Sequence, residues 1–328
     1  MRATITATSR YLPERVLTNF DLEKMVDTTD EWIRSRTGIE TRYLVSEGEA
    51  TSDMGTHIAT QLLDKSGKSP EEIDLILVAT STPDYLVCST AALIQDKIGA
   101  KNAWGFDIAA ACTGFIYAME TASKLIESGR YKNAIVIGAD TMSSIIDYTD
   151  RNTCIIFGDG GGGVLLESSD NQAGIIDSIL HTDGSGSKHL NVPAGGSAHP
   201  ASKDTVDKRM HFVHQDGKTI FKFAVKNMAD VSKQILDQNN LTGEDLKLFI
   251  PHQANRRIID AAAKRCGLAE NKVLINIHKY GNTTAGTIPI ALDEAVETGR
   301  LENGDMLLLA AFGGGFTWGS MLISWGDA

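Results

Sequence analysis

Two stretches of this chain recur in type, and in the same order, about half a chain-length later. Ser69-Pro70-Glu71-Glu72-Ile73-Asp74-Leu75-Ile76-Leu77-Val78-Ala79-Thr80 is a polar, acidic cap followed by an apolar run. Its counterpart is Thr242-Gly243-Glu244-Asp245-Leu246-Lys247-Leu248-Phe249-Ile250-Pro251-His252. Glu127-Ser128-Gly129-Arg130-Tyr131-Lys132-Asn133 is echoed by Glu297-Thr298-Gly299-Arg300-Leu301-Glu302-Asn303, and each leads into an apolar run, Ala134–Ile137 and Met306–Leu309. The displacement is 173 from Glu71 to Glu244 and 170 from Glu127 to Glu297. Ordered repetition at nearly one spacing marks a duplicated architecture. The chain therefore reads as two similar halves, 1–170 and 171–328.

Each half alternates helical and strand patterns, which predicts an α/β fold. Runs such as Leu75–Ala79 and Ile135–Ile137 do not alternate in polarity, as expected of strands covered on both faces. Asp183–Asp216 differs: rich in Gly, Ser, His and Lys and without periodicity, it reads as a long surface excursion. With 42% hydrophobic and 22% charged residues the composition is that of a globular protein. No apolar run is long enough to span a bilayer, and Met1–Thr8 has no apolar signal core, so a cytoplasmic location is expected. The four cysteines, at 88, 112, 154 and 266, form no CxxC pair and no His-spaced metal set, which suits a reducing compartment and predicts no metal. A formal charge of −11 argues against nucleic acid as the main partner, because phosphate binding needs a basic field.

Chemistry gathers at the strand ends. The run Trp104–Ala111 stops at Cys112, and Gly114–Ile126 behind it has helical spacing. Cys112 is thus expected at a strand-to-helix turn, where the helix N-terminus would lower its pKa and favour the attacking thiolate. A lone cysteine is more often just a buried small side chain. His252 ends the run Leu248–Pro251, and Asn282 lies 170 positions after Cys112 in a second small-residue turn. Singly, a buried histidine and a Gly-Asn turn are ordinary. Together the three supply a nucleophile and two hydrogen-bond donors at corresponding turns of two halves. Phe312-Gly313-Gly314-Gly315-Phe316 follows a strand, and its N–H groups could form an oxyanion hole with that of Cys112. Gly158-Asp159-Gly160-Gly161-Gly162-Gly163 fits the dinucleotide pattern G-x-G-x-x-G, but Val164-Leu165-Leu166 after it reads as a strand where that fingerprint needs a helix. No G-x-S-x-G elbow occurs, so a serine hydrolase has no support.

On these residues the chain resembles the β-ketoacyl-acyl-carrier-protein synthase III family. The resemblance is carried by Asp30-Glu31-Trp32-Ile33, Arg36-Thr37-Gly38-Ile39, Ala109–Cys112, Thr149-Asp150-Arg151, Phe157–Gly160, Pro251–Asn255, Gly281-Asn282-Thr283 and Phe312–Gly319. It implies the thiolase fold, a five-layered αβαβα structure of two pseudo-repeated halves, usually as a homodimer. It implies a decarboxylative condensation of a short acyl-CoA, acetyl-CoA first, with malonyl-acyl-carrier protein, with no cofactor. Cys112 matches the acylated nucleophile, His252 and Asn282 the pair acting on the malonyl thioester, and Cys112 with Gly315 the oxyanion hole. A donor aimed at such an oxygen is typically worth about 3 kcal/mol. Thr28, Trp32, Arg36, Arg151 and Asn255 match contacts to coenzyme A, with Trp32 and Arg151 sandwiching the adenine.

Acyl carrier protein is acidic, and the resemblance places its docking face on Lys222, Gln253, Ala254, Asn255, Arg256, Arg257, Lys264 and Arg265. The spacing agrees: Arg257 and Lys264 share one face of a helix whose apolar stripe is Ile259, Ala262, Ala263 and Cys266. A solvated face with Arg256 and Lys264 paired to Asp260 is the plainer account. Val87 stands where well-known members carry phenylalanine beside the acyl pocket, so a longer or branched primer is expected to fit. The stretch between Gly195 and His211 is longer than in those relatives and matches no role. Two other functions stay open: a related synthase of secondary metabolism using another primer, and a non-catalytic carrier-binding partner, a class that generally lacks the nucleophile.

Overall fold

The computed structural model describes residues 1–171 and 173–326. In the first half the chain runs β1 (Arg2–Tyr11), β2 (Arg15–Thr18), α1 (Asn19–Leu22), α2 (Asp30–Thr37), β3 (Thr41–Leu44), α3 (Thr51–Ser66), β4 (Leu75–Ala79), α4 (Thr90–Lys97), β5 (Trp104–Ile108), α5 (Gly114–Glu127), β6 (Asn133–Asp140) and β7 (Gly160–Ser169). The second half runs β8 (Gly174–Thr182), β9 (Leu190–Asn191), α6 (Lys203–Asp207), β10 (His214–Gln215), α7 (Gly217–Gln238), β11 (Leu248–Pro251), α8 (Arg256–Arg265), α9 (Ile277–Tyr280), α10 (Thr287–Glu297), β12 (Met306–Gly313) and β13 (Thr317–Ser324).

One sheet has the order β1-β7-β6-β4-β5 and the other β8-β13-β12-β11. Both are mixed in the same way. β4 runs parallel to β6 as β11 does to β12, and the next strand out, β7 or β13, is antiparallel. A lone parallel bridge between Phe249 and Val273 takes the position that β5 holds in the first half. The repeat seen in the sequence is therefore two copies of one sheet topology.

Strand residues sort by face, as a two-residue period requires. Leu75, Leu77 and Val136 from one sheet, and Leu248, Ile250, Leu307 and Leu309 from the other, pack on a shared middle layer. That layer is α5 and α10, through Phe115, Met119 and Ile126 and through Ile288, Leu292 and Ala295. The alternate residues Ile76, Val78, Ile135 and Ile137 face α3 and α4, which contribute Met54, Ile58, Leu62 and Ile94. On the far side Phe249, Leu308 and Leu322 face α7 and α8, which contribute Met228, Ile235 and Ile259. The layers are αβαβα, the thiolase fold. The glycine run forms β7 as a strand, with Gly162 and Gly163 packed so close to α10 and β6 that a Cβ would meet Pro289–Ile290 and Val136 backbone.

One feature of the sequence reading needs correction. The equivalent turns are Ala111–Thr113 before α5 and Thr284–Gly286 before α10, and 284 lies 173 positions after 111. Cys112 therefore corresponds to Ala285, and Asn282 precedes the turn. Ala111 and Thr284 share a left-handed backbone, at φ 46° and 51°. A displacement of 170 holds only for the helix-to-strand segment and misplaces the turn.

Leu309 is fully buried in the central layer. Leu309→Ala is expected to lower unfolding free energy by about 2–5 kcal/mol, through lost burial and the cavity left behind. Val206→Ala, at a largely exposed side chain, is expected to stay within about 0.5 kcal/mol. Denaturant titration of the two variants checks both values.

Candidate active site

Each candidate is placed by the end of a buried element. Cys112 sits in the turn between β5 and α5. Thr113 Oγ1 donates to the Thr317 carbonyl at 3.1 Å and Thr317 Oγ1 to the Ala110 carbonyl at 3.0 Å, so the β12–β13 hairpin is stitched to this turn. His252 follows β11, and its N–H donates to Ala310 in β12. Its Nδ1 lies 2.6 Å from Thr287 Oγ1 at the start of α10, and that hydroxyl also reaches the Thr284 carbonyl at 3.2 Å. Asn282 bridges to Phe157, and its Oδ1 accepts the Thr284 N–H at 2.8 Å. With the carbonyl end occupied, the amide N–H₂ is the group left for the cavity.

Cys112, His252 and Asn282 line one cavity of about 650 Å³. All three are buried. The same cavity is lined toward solvent by Trp32, Arg36, Lys218 and Arg257, all at exposed positions. No carboxylate lines it among the described residues. In an acidic protein this is a channel with a cationic mouth and an uncharged floor.

The electrostatics of the floor reverse one expectation. Burial, with the buried charge of Asp140 adding to it, pushes the Cys112 thiol up to about 12. The short turn before α5 does not offset the lost solvation, and no cation supports a thiolate. Burial likewise lowers His252 to about 3. The resting pair is a neutral thiol and a neutral imidazole. Asp140, raised by burial, accepts from Thr80 Oγ1, Ser81 N–H, Thr82 N–H and Thr82 Oγ1 at 2.6–3.1 Å, and from Thr284 Oγ1. It thereby fixes the turn that orients both Asn282 and Thr287.

The floor and the mouth are joined by Arg42, which is fully buried. Its guanidinium donates to Leu17 and Ile155 carbonyls and to Asn19 Oδ1, at 2.7–3.3 Å, and burial lowers it to about 10. Asn19 Nδ2 in turn donates to Asp30 at the start of α2. Gly158 and Gly281 are needed here, because a Cβ on either would fall 2.8 or 3.1 Å from the Arg42 Cβ. α2 carries Trp32 and Arg36, is capped by Thr29 and Gly38, and is tied to α8 by Asn255 Nδ2 donating to the Arg36 carbonyl at 2.9 Å. Arg151 lies over Trp32, 5.3 Å from the ring centroid. Thr28 is outside the lining, with its Oγ1 buried and lacking a partner.

Several expected residues lie elsewhere. Gly313 packs against the Cys112 amide, since a Cβ on it would lie 2.8 Å from that nitrogen, while a Cβ on Gly315 would point at Thr317. Gln253 is buried, its amide spent on Pro251 and Leu274 carbonyls and on Asn276 and Ile277 N–H groups, so it offers nothing to a docking partner. Val87 is fully exposed and outside the cavity of its own chain. On α8, Arg256 is paired with Asp260 and Glu270, and Arg265 with Asp230. Arg257 lies over the Phe221 ring at 4.8 Å, and Ala254 lines the cavity with it. Lys222 and Lys264 are exposed and outside the lining. Lys218, Thr287, Asp140 and Arg42 carry no local motif and are visible only in three dimensions.

The family model 3-Oxoacyl-[acyl-carrier-protein (ACP)] synthase III matches residues 106–184, and its C-terminal companion matches residues 236–325. Beta-ketoacyl-[acyl-carrier-protein] synthase III of Chlorobium luteolum is 56% identical over 328 residues, 99% of this chain and 100% of the relative. The crystal structure of 3-oxoacyl-[acyl-carrier-protein] synthase III from Aquifex aeolicus is 43% identical, with TM-score 0.91 over 98% of this chain and 100% of that one. The priming beta-ketosynthase of the R1128 polyketide pathway is 32% identical, with TM-score 0.91 over 99% and 96%. Identity at this level along the whole length leaves one assignment: the chain belongs to the β-ketoacyl-acyl-carrier-protein synthase III family of acyltransferases, the enzymes of the initiating condensation in fatty-acid synthesis.

Proposed function

We propose that this chain transfers a short acyl group, acetyl in the first instance, from coenzyme A to Cys112 and condenses it with malonyl-acyl-carrier protein, releasing CO₂ and a 3-oxoacyl-acyl-carrier protein. The observation that carries this reading is the channel itself: a thiol, an imidazole and a carboxamide on its floor, with Arg36, Lys218 and Arg257 at its mouth. Cations without competing carboxylates suit the phosphates of coenzyme A, and the channel is sized for the arm of a thioester carrier.

In the first half-reaction Cys112 Sγ attacks the acyl-CoA carbonyl. His252 is the one imidazole on the cavity lining among the described residues, and it takes the thiol proton and returns it to the departing CoA thiolate. The oxyanion lies against the Cys112 N–H and the glycine hairpin. In the second, breaking the C–C bond of malonyl releases CO₂ and leaves an enolate, whose oxygen meets the Asn282 N–H₂ and the His252 ring. The enolate carbon attacks the acyl-Cys112 carbonyl, and collapse of that adduct breaks the carbon–sulfur bond and expels the Cys112 thiolate, which takes up a proton from solvent to restore the resting thiol. Neutral donors suit this step, because fixed partial charges in a dry site need no reorganisation as charge develops. None of these steps calls for a metal or a further cofactor.

The halves 1–170 and 171–328 divide the work, the first holding the nucleophile and the second His252 and Asn282. Lys222, Lys264 and Arg257 form the unneutralised part of the carrier-docking face. The enzyme works as a cytoplasmic homodimer in this reading; no described helix is long and apolar enough to cross a membrane. β5 is an edge strand bearing half-exposed Trp104, and Tyr85, Leu86 and Val87 stand exposed beyond it. A second copy covering them accounts for that apolar surface. The likeness to a priming ketosynthase of polyketide synthesis favours one second reading, the same chemistry on another primer. Turnover on acetyl-, isobutyryl- and hexanoyl-CoA separates the two.

Incubation with acetyl-CoA should leave an acetyl adduct on the Cys112 peptide by mass spectrometry, absent in Cys112→Ala; no adduct on the parent chain would refute the reading. Because Cys112 is held near 12, its alkylation by iodoacetamide should be slow at pH 7 and climb with unit slope to about pH 10. A plateau from low pH would instead show a thiolate–imidazolium pair. The double variant Lys222→Glu/Lys264→Glu should raise KM for malonyl-acyl-carrier protein about tenfold and leave acetyl-CoA transfer unchanged. Equal effects on both steps would remove these lysines from docking.

A further inference from the structure

The stretch from Ala194 to His211 closes on itself. Ala194 N–H donates to the Met210 carbonyl at 2.9 Å, and Thr205 Oγ1 meets His211 Nε2 at 2.9 Å. α6 lies inside this loop. On either side of it in sequence, Leu190, Gln215 and Lys218 line one wall of the channel. The same lining includes Asn152 and Ile155–Phe157, which follow the turn that carries Arg151. The loop is thus a strap between a channel wall and solvent.

One side chain of the strap reaches across. Arg209, held at φ 56° with its guanidinium over the Phe212 ring at 5.0 Å, donates from Nε to Asp147 Oδ2 at 2.8 Å and from Nη2 to Asp147 Oδ1 at 2.5 Å. Nη2 also lies 3.4 Å from Thr149 Oγ1. Asp147 is the root of the Arg151 turn. Its Oδ1 accepts from the Thr149 N–H at 2.8 Å and hydroxyl at 2.6 Å, and Asp150 N–H donates to its carbonyl at 2.9 Å. Burial raises this carboxylate, yet the Arg209 and Thr149 bonds outweigh that and bring it to about 2. A two-toothed contact on a mostly buried carboxylate is the kind of ion pair that retains value near a surface.

The segment on either side of the turn is held by Arg42 on the Ile155 carbonyl and by the Val213 N–H on the Ile145 carbonyl, whereas the contacts that Arg151 itself makes lie where a base would stack. Arg151 contacts the Trp32 face, and its Nη1 donates to the Asp27 carbonyl at 2.8 Å. A base stacked between Arg151 and Trp32 must part the first contact and shift the second. We infer that the Arg209–Asp147 pair is a latch that keeps the Arg151 turn within stacking reach once a nucleotide has opened it, so that the 194–211 strap selects nucleotide-bearing thioesters over short ones. The inference rests on the proposed acyl-CoA chemistry and concerns affinity alone. Arg209 and Asp147 are outside the channel lining, and they act as positioning residues through Arg151.

Two substrates separate this role from a general loosening of the wall. S-acetyl-N-acetylcysteamine carries the same acyl group on a thiol without a nucleotide, so its acylation of Cys112 should be indifferent to the latch. Arg209→Ala and Asp147→Asn should each raise KM for acetyl-CoA about fivefold at a kcat within about twofold of the parent, with Arg209→Lys intermediate. Acylation by the short thioester should stay unchanged in all three. Equal losses with both thioesters would mean collapse of the channel wall and overturn the latch, as would parental KM in both neutralising variants. If the parent chain forms no Cys112 adduct with acetyl-CoA, the acyl-CoA reading fails and the latch with it.

Discussion

The site exists because two tight turns, one from each half, press together in the middle layer of the fold. Ala111–Thr113 and Thr284–Gly286 each adopt a left-handed first residue and each open a central helix. The second turn is also pressed against β6 and β7 of the first half: a Cβ on Gly138 would fall 2.3 Å from the Ala285 carbonyl oxygen, and one on Gly286 2.8 Å from that of Gly160. Left-handed backbone at Ala and Thr is costly and persists only where surroundings over-determine it. Here the surroundings are Asp140 gripping Thr284 from below and Thr317 stitching the β12–β13 hairpin to Ala110 and Thr113. Cys112, the Asn282 amide and the Thr287 hydroxyl beside His252 all take their positions from those two turns.

The close packing dictates the electrostatics. Groups sealed under two sheets lose water, and with no opposite charge nearby they rest uncharged. A neutral thiol and a neutral imidazole follow, and Asp140 is tolerated because hydroxyls and amides surround its oxygens. The consequence for chemistry is that proton transfer and carbon–sulfur bond formation must be coupled, since a free thiolate at about 12 is scarcely populated at neutral pH. Along the channel lining, charge is confined to the mouth, where Arg36, Lys218 and Arg257 are exposed to solvent.

Much of this was legible in the sequence, for reasons that can be named. The repeat reports sheet topology because both sheets are buried on two faces, so their strands are written as uninterrupted apolar runs. Cys112, His252 and Asn282 were findable because each ends such a run or occupies a small-residue turn. The sign of the Cys112 shift was not, because it depends on burial and on Asp140, the last residue of β6. Gln253 reads as a docking residue beside Asn255, yet the bend after β11 turns it inward to bond Leu274 and Asn276. Val87 lies exposed in the loop before α4, and the sequence carries no signal for what covers that loop. Thr287, Arg42 and Arg209 are invisible for a common reason: their partners are 35, 113 and 62 residues away.

The two halves are alike in topology and unlike in what they leave open. In the first, α3 and α4 seal the outer face of the sheet and β5 is left as a free edge. In the second, the place of β5 is taken by a single bridge at Val273, so the sheet stops one strand short. The segments between β1 and α3 and between β8 and α7 occupy corresponding places but fold differently, the first through α2 with Trp32 and Arg36 and the second through Leu190 and Gln215, and both line the channel. Duplication thus supplies two equivalent turns and a rigid floor, and divergence supplies the difference between them. One turn keeps a thiol where the other has Ala285, so the proposed reaction has a single nucleophile, and the second half is free to furnish the imidazole and carboxamide that the same proposal sets beside it. A symmetric arrangement, with a cysteine on both turns, would place two nucleophiles where the reaction needs one nucleophile and two donors.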